Sequence, residues 1–151
     1  MDRVAVALGS NLGDRVAHLD HAVARLQGVL RRLKISRYYE TAPVGVVGPQ
    51  PLYLNAAAVG ETILPPRALL ELLLGVERER GRERPPGPHA PRTLDLDLIL
   101  FGGLIIDEPD LVVPHPRFRE RRFVLEPLVE VAPDLVDPST GETVATLLAR
   151  A

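Results

Sequence analysis

From 91 to 101 the chain reads Pro-Arg-Thr-Leu-Asp-Leu-Asp-Leu-Ile-Leu-Phe, with leucine at every second position from Leu94 to Leu100. A period of two belongs to a strand and not to a helix. On such a strand Leu94, Leu96, Leu98 and Leu100 share one face, and Asp95 and Asp97 share the other. The two aspartates then lie roughly 6–7 Å apart at their backbones. Their side chains can lean over one metal or share two. Left bare they repel and resist ionisation. A hard divalent cation relieves that repulsion, and Mg²⁺ typically takes one or two carboxylates together with substrate phosphates. An isolated Asp-x-Asp is as often the wet face of an antiparallel sheet. Here, however, Arg78, Arg80, Arg82, Arg84 and Arg92 precede it. Guanidinium groups present planar donor forks to phosphate oxygens, so the pair and its setting together read as a polyphosphate site.

The rest of the chain limits what that site can serve. At 151 residues it reads as one domain, 1–151, with room for a real core. The longest apolar runs, such as 69–75, are too short to span a bilayer, and no signal peptide opens the sequence, so a cytoplasmic protein is expected. The net charge of −2 argues against a nucleic-acid partner, and the basic residues gather at 78–92 and 117–122, which suits a small anionic ligand. The absence of cysteine removes disulfides, thiol catalysis and Cys-based zinc sites. Lys34 is the lone lysine, and there are 15 prolines, a weak sign of a thermophilic or GC-rich source.

Residues 4–8 read as a buried first strand, closed by Gly9-Ser10-Asn11-Leu12-Gly13-Asp14. That turn lacks the Lys-Ser/Thr of a P-loop, and a strand-to-helix turn capped by Asn11 or Asp14 fits it better. Val16, Leu19, Val23, Leu26, Leu30 and Leu33 form one apolar stripe, which predicts a helix of about five turns over 16–33. A second strand is expected at 35–40, a Pro/Gly/Val loop at 41–51, a third strand at 53–59 and a helix from Pro65 to Glu79. The Arg/Pro segment, about 80–92, reads as a mobile loop delivering arginines, because four prolines there remove backbone donors. The order β-α-β-β-α-β predicts an α+β, ferredoxin-like core, a mainly antiparallel sheet with helices on one face. Further helices at 123–131 and from Thr143 are added at the C-terminal end.

Several segments stand together in the order of one family. They are Gly9-Ser10-Asn11-Leu12-Gly13, Thr41-Ala42-Pro43-Val44-Gly45, Tyr53-Leu54-Asn55-Ala56, Pro91-Arg92-Thr93-Leu94-Asp95-Leu96-Asp97, Val113-Pro114-His115-Pro116 and Arg121-Arg122-Phe123. Over nearly its whole length the chain resembles the 6-hydroxymethyl-7,8-dihydropterin pyrophosphokinases of folate biosynthesis. The resemblance implies transfer of the pyrophosphoryl group of ATP to the pterin hydroxymethyl, with release of AMP. It assigns Asp95 and Asp97 to two Mg²⁺ ions, and Arg82 and Arg92 to mobile arginines that close over the triphosphate. Thr41, Pro43, Val44, Tyr53, Asn55 and Phe123 match positions lining the pterin pocket, with Asn55 reading the ring edge and Phe123 stacking on it. Glu77, Arg84, Leu98, His115 and Arg121 match positions around the nucleotide. On residues alone Phe123 reads first as a core side chain, His115 equally as a surface turn residue, and Glu77 also as a helix position open to solvent.

Some positions depart from the pattern. His89 stands where some members carry Trp, and Leu74, Asp110, Val112 and Pro116 differ from nucleotide-contacting residues in others. The alternatives to this reading are an RNA-recognition module, a two-metal phosphodiesterase or nucleotidyl transferase, and a small-molecule regulatory domain. The first wants aromatics on the central strands, where this chain has only Tyr53; the last has no need of the aspartate pair. A monomer acting on ATP and the pterin is expected, with neither nucleic acid nor membrane as partner.

Overall fold

β1 (Asp2–Ser10) is the strand on which the molecule is assembled. After it come α1 (Arg15–Gln27), β2 (Arg31–Ile35), β3 (Tyr39–Thr41), β4 (Tyr53–Thr62), α2 (Pro66–Glu79) and β5 (Asp95–Phe101). A hairpin of β6 (Ile106–Glu108) and β7 (Leu111–Val113), a 3₁₀ turn at Phe118–Glu120, α3 (Arg122–Val131) and α4 (Val144–Arg150) complete it. The computed structural model describes residues 1–42, 52–81 and 93–151.

The main sheet runs β2–β4–β1–β5, with β3 also paired to β4, and each of these pairings is antiparallel. With β2 and β3 taken as one broken edge strand, this is the expected βαββαβ core. Alternation along the strands sorts the apolar side chains into two layers. Val4, Val6 and Leu8 of β1 pack with Leu19 and Leu26 of α1 and with Leu69 and Leu73 of α2. Ala5 faces the other way, toward Phe118, Leu125, Leu128, Val144 and Leu147. The C-terminal helices therefore roof the face that α1 and α2 leave bare.

Three expectations are corrected. α1 stops at Gln27, with Gly28 donating its N–H to the carbonyls of Arg25 and Leu26. Leu30 is buried but lies beyond the helix, where the chain swings down to begin β2. The spacing of Leu30 and Leu33 continues a helical stripe by coincidence. The second strand is split into β2 and β3. Between them Ser36 takes over the ladder, donating its N–H to the Ala57 carbonyl and accepting the Ala57 N–H on Oγ, both at 2.9 Å. Lastly, the leucine alternation breaks in β5. Ala5 pairs with Leu100 and Val6 with Leu98, so a bulge intervenes at Ile99. Leu94, Leu96 and Leu98 enter the α1–α2 layer, whereas Ile99 and Leu100 enter the α3–α4 layer.

Candidate active site

That bulge divides the aspartate face of the sheet. Beyond it Ile99 and Leu100 are covered by the C-terminal helices; before it Asp95 and Asp97 stay half-buried, beside an open cleft of about 880 Å³. The floor of the cleft is made of small residues. Gly9 stands in register between Asn55 and Asp95, and Ala7 between Ala57 and Asp97. Neighbouring strands are about 4.8 Å apart, so the Asn55 and Asp95 backbones lie about 10 Å apart across Gly9. A Cβ at position 9 would sit 3.3 Å from Asn55 Oδ1 and 3.6 Å from Tyr53 Cδ1. Glycine there keeps the path from the amide to the carboxylates open.

At one end of this floor Tyr53 and Asn55 rise from β4. Asn55 is 5 % exposed, and its Nδ2 donates to Thr41 Oγ1 at 2.5 Å. The first turn of α3 brings the half-buried Phe123 to the cleft, and the Arg121 guanidinium lies 5.6 Å from its ring centroid. An amide edge and an aromatic ring lining the same cleft suit a flat heterocycle carrying donors and acceptors.

The other end is apolar with cations at its rim. Leu70 and Leu74 of α2, Leu111 and Val112 of β7, and Leu98 of β5 line it with His115, Arg117 and Arg121. Leu98 is buried in the α1–α2 layer, which leaves its backbone for the cleft. The His115 N–H donates to the Ile99 carbonyl at 2.9 Å, tying the loop to the bulge. Its Nδ1 accepts the Arg117 N–H at 3.2 Å. Burial, and then the charge of Arg121 with help from Arg117, push the imidazole down to about 4 against the opposing pull of Asp95. His115 is thus neutral near pH 7, with Nδ1 engaged and Nε2 carrying the proton.

Glu77 is buried and is no solvated helix residue: its Oε2 accepts the Leu96 N–H at 2.7 Å. It secures β5 at the residue between the two aspartates. Among the described residues no group of three or more His, Asp or Glu could hold a metal ion by itself. Two half-buried carboxylates on one strand face, opening onto a large cleft, fit Mg²⁺ completed by oxygens of a ligand and water.

Of the residues singled out from the sequence, Tyr53, Asn55, Glu77, Asp95, Asp97, Leu98, His115, Arg121 and Phe123 all line this cleft. Thr41 stands behind Asn55 as its hydrogen-bond acceptor. Pro43, Val44, Arg82, Arg84 and Arg92 lie outside the described residues. Of the positions of departure, Leu74, Asp110 and Val112 also line the cleft, and His89 lies outside the described residues. The places of Gly9, Leu70 and Arg117 in the cleft emerge only from the structure; for Gly9 the Gly9–Gly13 segment and for Arg117 the basic run at 117–122 were the available signals. The central strands offer no aromatic pair, and α3 and α4 cover part of the face on which an RNA-recognition module would carry one.

The 7,8-dihydro-6-hydroxymethylpterin-pyrophosphokinase (HPPK) family profile matches residues 5–133. The chain belongs to that family. A pyrophosphokinase of this kind from Bacillus subtilis is 44% identical over 144 residues, covering 93% of this chain and 85% of its own. That from Methylorubrum extorquens is 42% identical over 152 residues, covering 99% and 94%. Other relatives are longer: the folic acid synthesis protein fol1 of Pneumocystis carinii is 39% identical over 147 residues, and the match spans 96% of this chain but 20% of that protein. A crystal structure of an HPPK-DHPS chain in complex with substrates superimposes on 99% of this chain and 43% of its own, with a TM-score of 0.78 at 13% identity. That likeness establishes the shared fold.

Proposed function

We propose that this single domain binds ATP and 6-hydroxymethyl-7,8-dihydropterin side by side along the cleft. It transfers the β,γ-pyrophosphoryl group to the pterin hydroxymethyl and releases AMP, as a step of folate synthesis. The observation that carries the reading is the row Asn55–Gly9–Asp95, which runs from an amide edge to a carboxylate across one open glycine. It puts the slot for a flat ring next to the polyphosphate site, with Gly9 between them on the sheet.

Asn55 and Phe123 hold the pterin, the first by its edge and the second by its face, with Tyr53 beside them. Thr41, Pro43 and Val44 are assigned to the same pocket. The apolar end takes adenine against Leu98, while His115 through its Nε2–H and Arg121 through its guanidinium hold ribose and phosphate. Glu77 and Arg84 belong to the nucleotide side, Glu77 by fixing β5. Two Mg²⁺ ions, held by Asp95 and Asp97, would when bound neutralise the β- and γ-phosphate oxygens. Asp95 orients the hydroxyl and takes its proton as the oxygen bonds to the β-phosphorus. The bond from that phosphorus to the oxygen of the α-phosphate breaks, and AMP leaves with the electron pair. Arg82 and Arg92 are assigned to the charge that shifts in this transition state. The same reading makes the protein a cytoplasmic monomer.

The test is ³¹P NMR of the protein with ATP and Mg²⁺, with and without the pterin. AMP and a new pyrophosphate ester are expected only with the pterin present. ADP, or hydrolysis independent of pterin, would exclude the reaction.

A further inference from the structure

Among the described residues the ring-binding end of the cleft is built from β4, the start of α3 and β3. The slightest of these is β3, tied on the face away from α3 by the Arg15–Glu40 ion pair at 2.9 Å. β3 is only three residues long and, among the described residues, pairs with β4 alone. It nevertheless carries Thr41, whose Oγ1 takes an amide proton from Asn55 and so sets which way round that amide stands. With Nδ2 turned to Thr41, Oδ1 is turned toward Gly9. A wandering β3 would release the amide.

On the sheet face that carries α3, β3 is held by a carboxylate of that helix. Glu130, near the end of α3, accepts the Tyr39 hydroxyl on Oε1. The same oxygen accepts Arg37 Nε at 3.0 Å, and Oε2 accepts the Arg37 backbone N–H at 2.8 Å. Arg37 also donates from Nη2 to the Tyr39 hydroxyl at 3.0 Å, with its guanidinium 5.0 Å from the Tyr39 ring centroid. The hydrogen bond with Tyr39 is the first cause holding Glu130 below the usual carboxylate range, and the same bond raises Tyr39. Tyr39 lies directly opposite Asn55 in the β3–β4 register. Glu130 and Phe123 share one helix, so the clasp ties the amide wall of the slot to the aromatic wall.

We infer that Glu130 is a positioning residue for pterin recognition, acting through Tyr39, β3 and Thr41 on the orientation of the Asn55 amide. The inference rests on the reading of Asn55 as the group that meets the pterin edge. It distinguishes Glu130 from a general stabiliser of the fold, because its loss falls on one substrate.

Steady-state kinetics of variants test this, with thermal melts followed by circular dichroism. Glu130→Ala should raise the KM for the pterin about five- to tenfold, the scale of one neutral hydrogen bond at the ring edge. The KM for ATP and kcat should move less than about twofold, as should all parameters in Arg150→Ala, which breaks a remote ion pair with Glu142. Glu130→Gln keeps an oxygen for the Tyr39 hydroxyl and should recover most of the affinity. Tyr39→Phe, the milder change, should show the same one-sided effect should Glu130→Ala fold poorly. In a Thr41→Val background, where the amide has already lost its acceptor, Glu130→Ala should add almost nothing. Equal damage to both substrates, or additivity with Thr41→Val, overturns the role of Glu130. A pterin KM unchanged in Asn55→Ala overturns the reading of Asn55, and the inference with it; a raised one beside a silent Glu130→Ala overturns the clasp alone.

Discussion

Asp97 is half-buried on the cleft face, with Ala7 across from it and the flanking leucines Leu96 and Leu98 in the opposite layer, and Asn has nearly its size and shape. Asp97→Asn should therefore leave the fold intact while AMP formation falls about 10²- to 10³-fold or more, the scale of losing one electrostatic contact to the transition state. Circular dichroism and an AMP assay across a Mg²⁺ series measure both halves of that statement; activity within tenfold of the parent takes Asp97 out of the metal role. His115 is governed by burial instead. Its folded pKa of about 4 lies below the ordinary 6.5, so between those values the unfolded chain binds a proton that the folded chain refuses. Stability falls as pH drops through that window and carries no such penalty above 6.5. Before solvent screening, the shift corresponds to up to about 3 kcal/mol. His18, also lowered by burial first and then by Arg80, acts in the same direction, so the informative quantity is the difference between parent and variant. Urea unfolding of the metal-free protein should show a flatter decline for His115→Asn, and parallel curves would contradict the burial argument. These two residues also differ in how far the sequence displays them. An alternating aspartate pair is local and was legible. The depressed histidine depends on Arg121 and on a loop pinned to Ile99, and the Glu130–Tyr39 contact joins positions 91 apart, beyond any periodicity.

Elements were legible where one layer alone set their pattern. α2 begins where its proline pair allows it, with Pro65 as N-cap and Pro66 as its first residue. α3 lies within one residue of its expected start. α1 was overextended because Leu30 and Leu33 belong to the same apolar layer as the helix, and a stripe cannot tell a sixth helical contact from the first contact of the next strand. What decides the matter is Gly60 of β4. A Cβ there would lie 2.9 Å from Leu30 Cβ and 3.1 Å from the Arg31 carbonyl oxygen. The helix must stop so that the chain can cross this glycine, and the glycine must stay bare for it to do so. Gly60→Ala should cost about 1–3 kcal/mol, the range for overpacking. Chemical denaturation would register it as a lower midpoint at unchanged slope. A neutral substitution would mean that β2 can step aside, and that the end of α1 is set by something other than this approach. The β5 bulge was hidden for a related reason: Ile99 fits either face of a buried strand, and only the docking of α3 and α4 shows which it takes.

At the scale of the whole molecule both apolar layers share β1 and β4, with Val4, Val6, Ala56 and Ala58 on one side and Ala5, Ala57 and Val59 on the other. Neither layer can melt while the other keeps its sheet, so thermal unfolding should be a single transition despite helices on two faces. The cleft lies across the same strands, and ligand binding therefore couples to the entire cooperative unit. With free ATP·Mg²⁺ at about a hundred times its dissociation constant, linkage contributes about 2.7 kcal/mol. For a domain of this size that raises the melting temperature by roughly 6–10 °C. Replacing Mg²⁺ with EDTA should remove most of the rise, because a bare triphosphate brings its own charge against Asp95 and Asp97. Asp97→Asn should reduce the gain from Mg²⁺ more than it lowers the melting temperature of the free protein. An equal rise with and without Mg²⁺ would show that arginines alone hold the triphosphate, and the aspartate pair would then need another purpose.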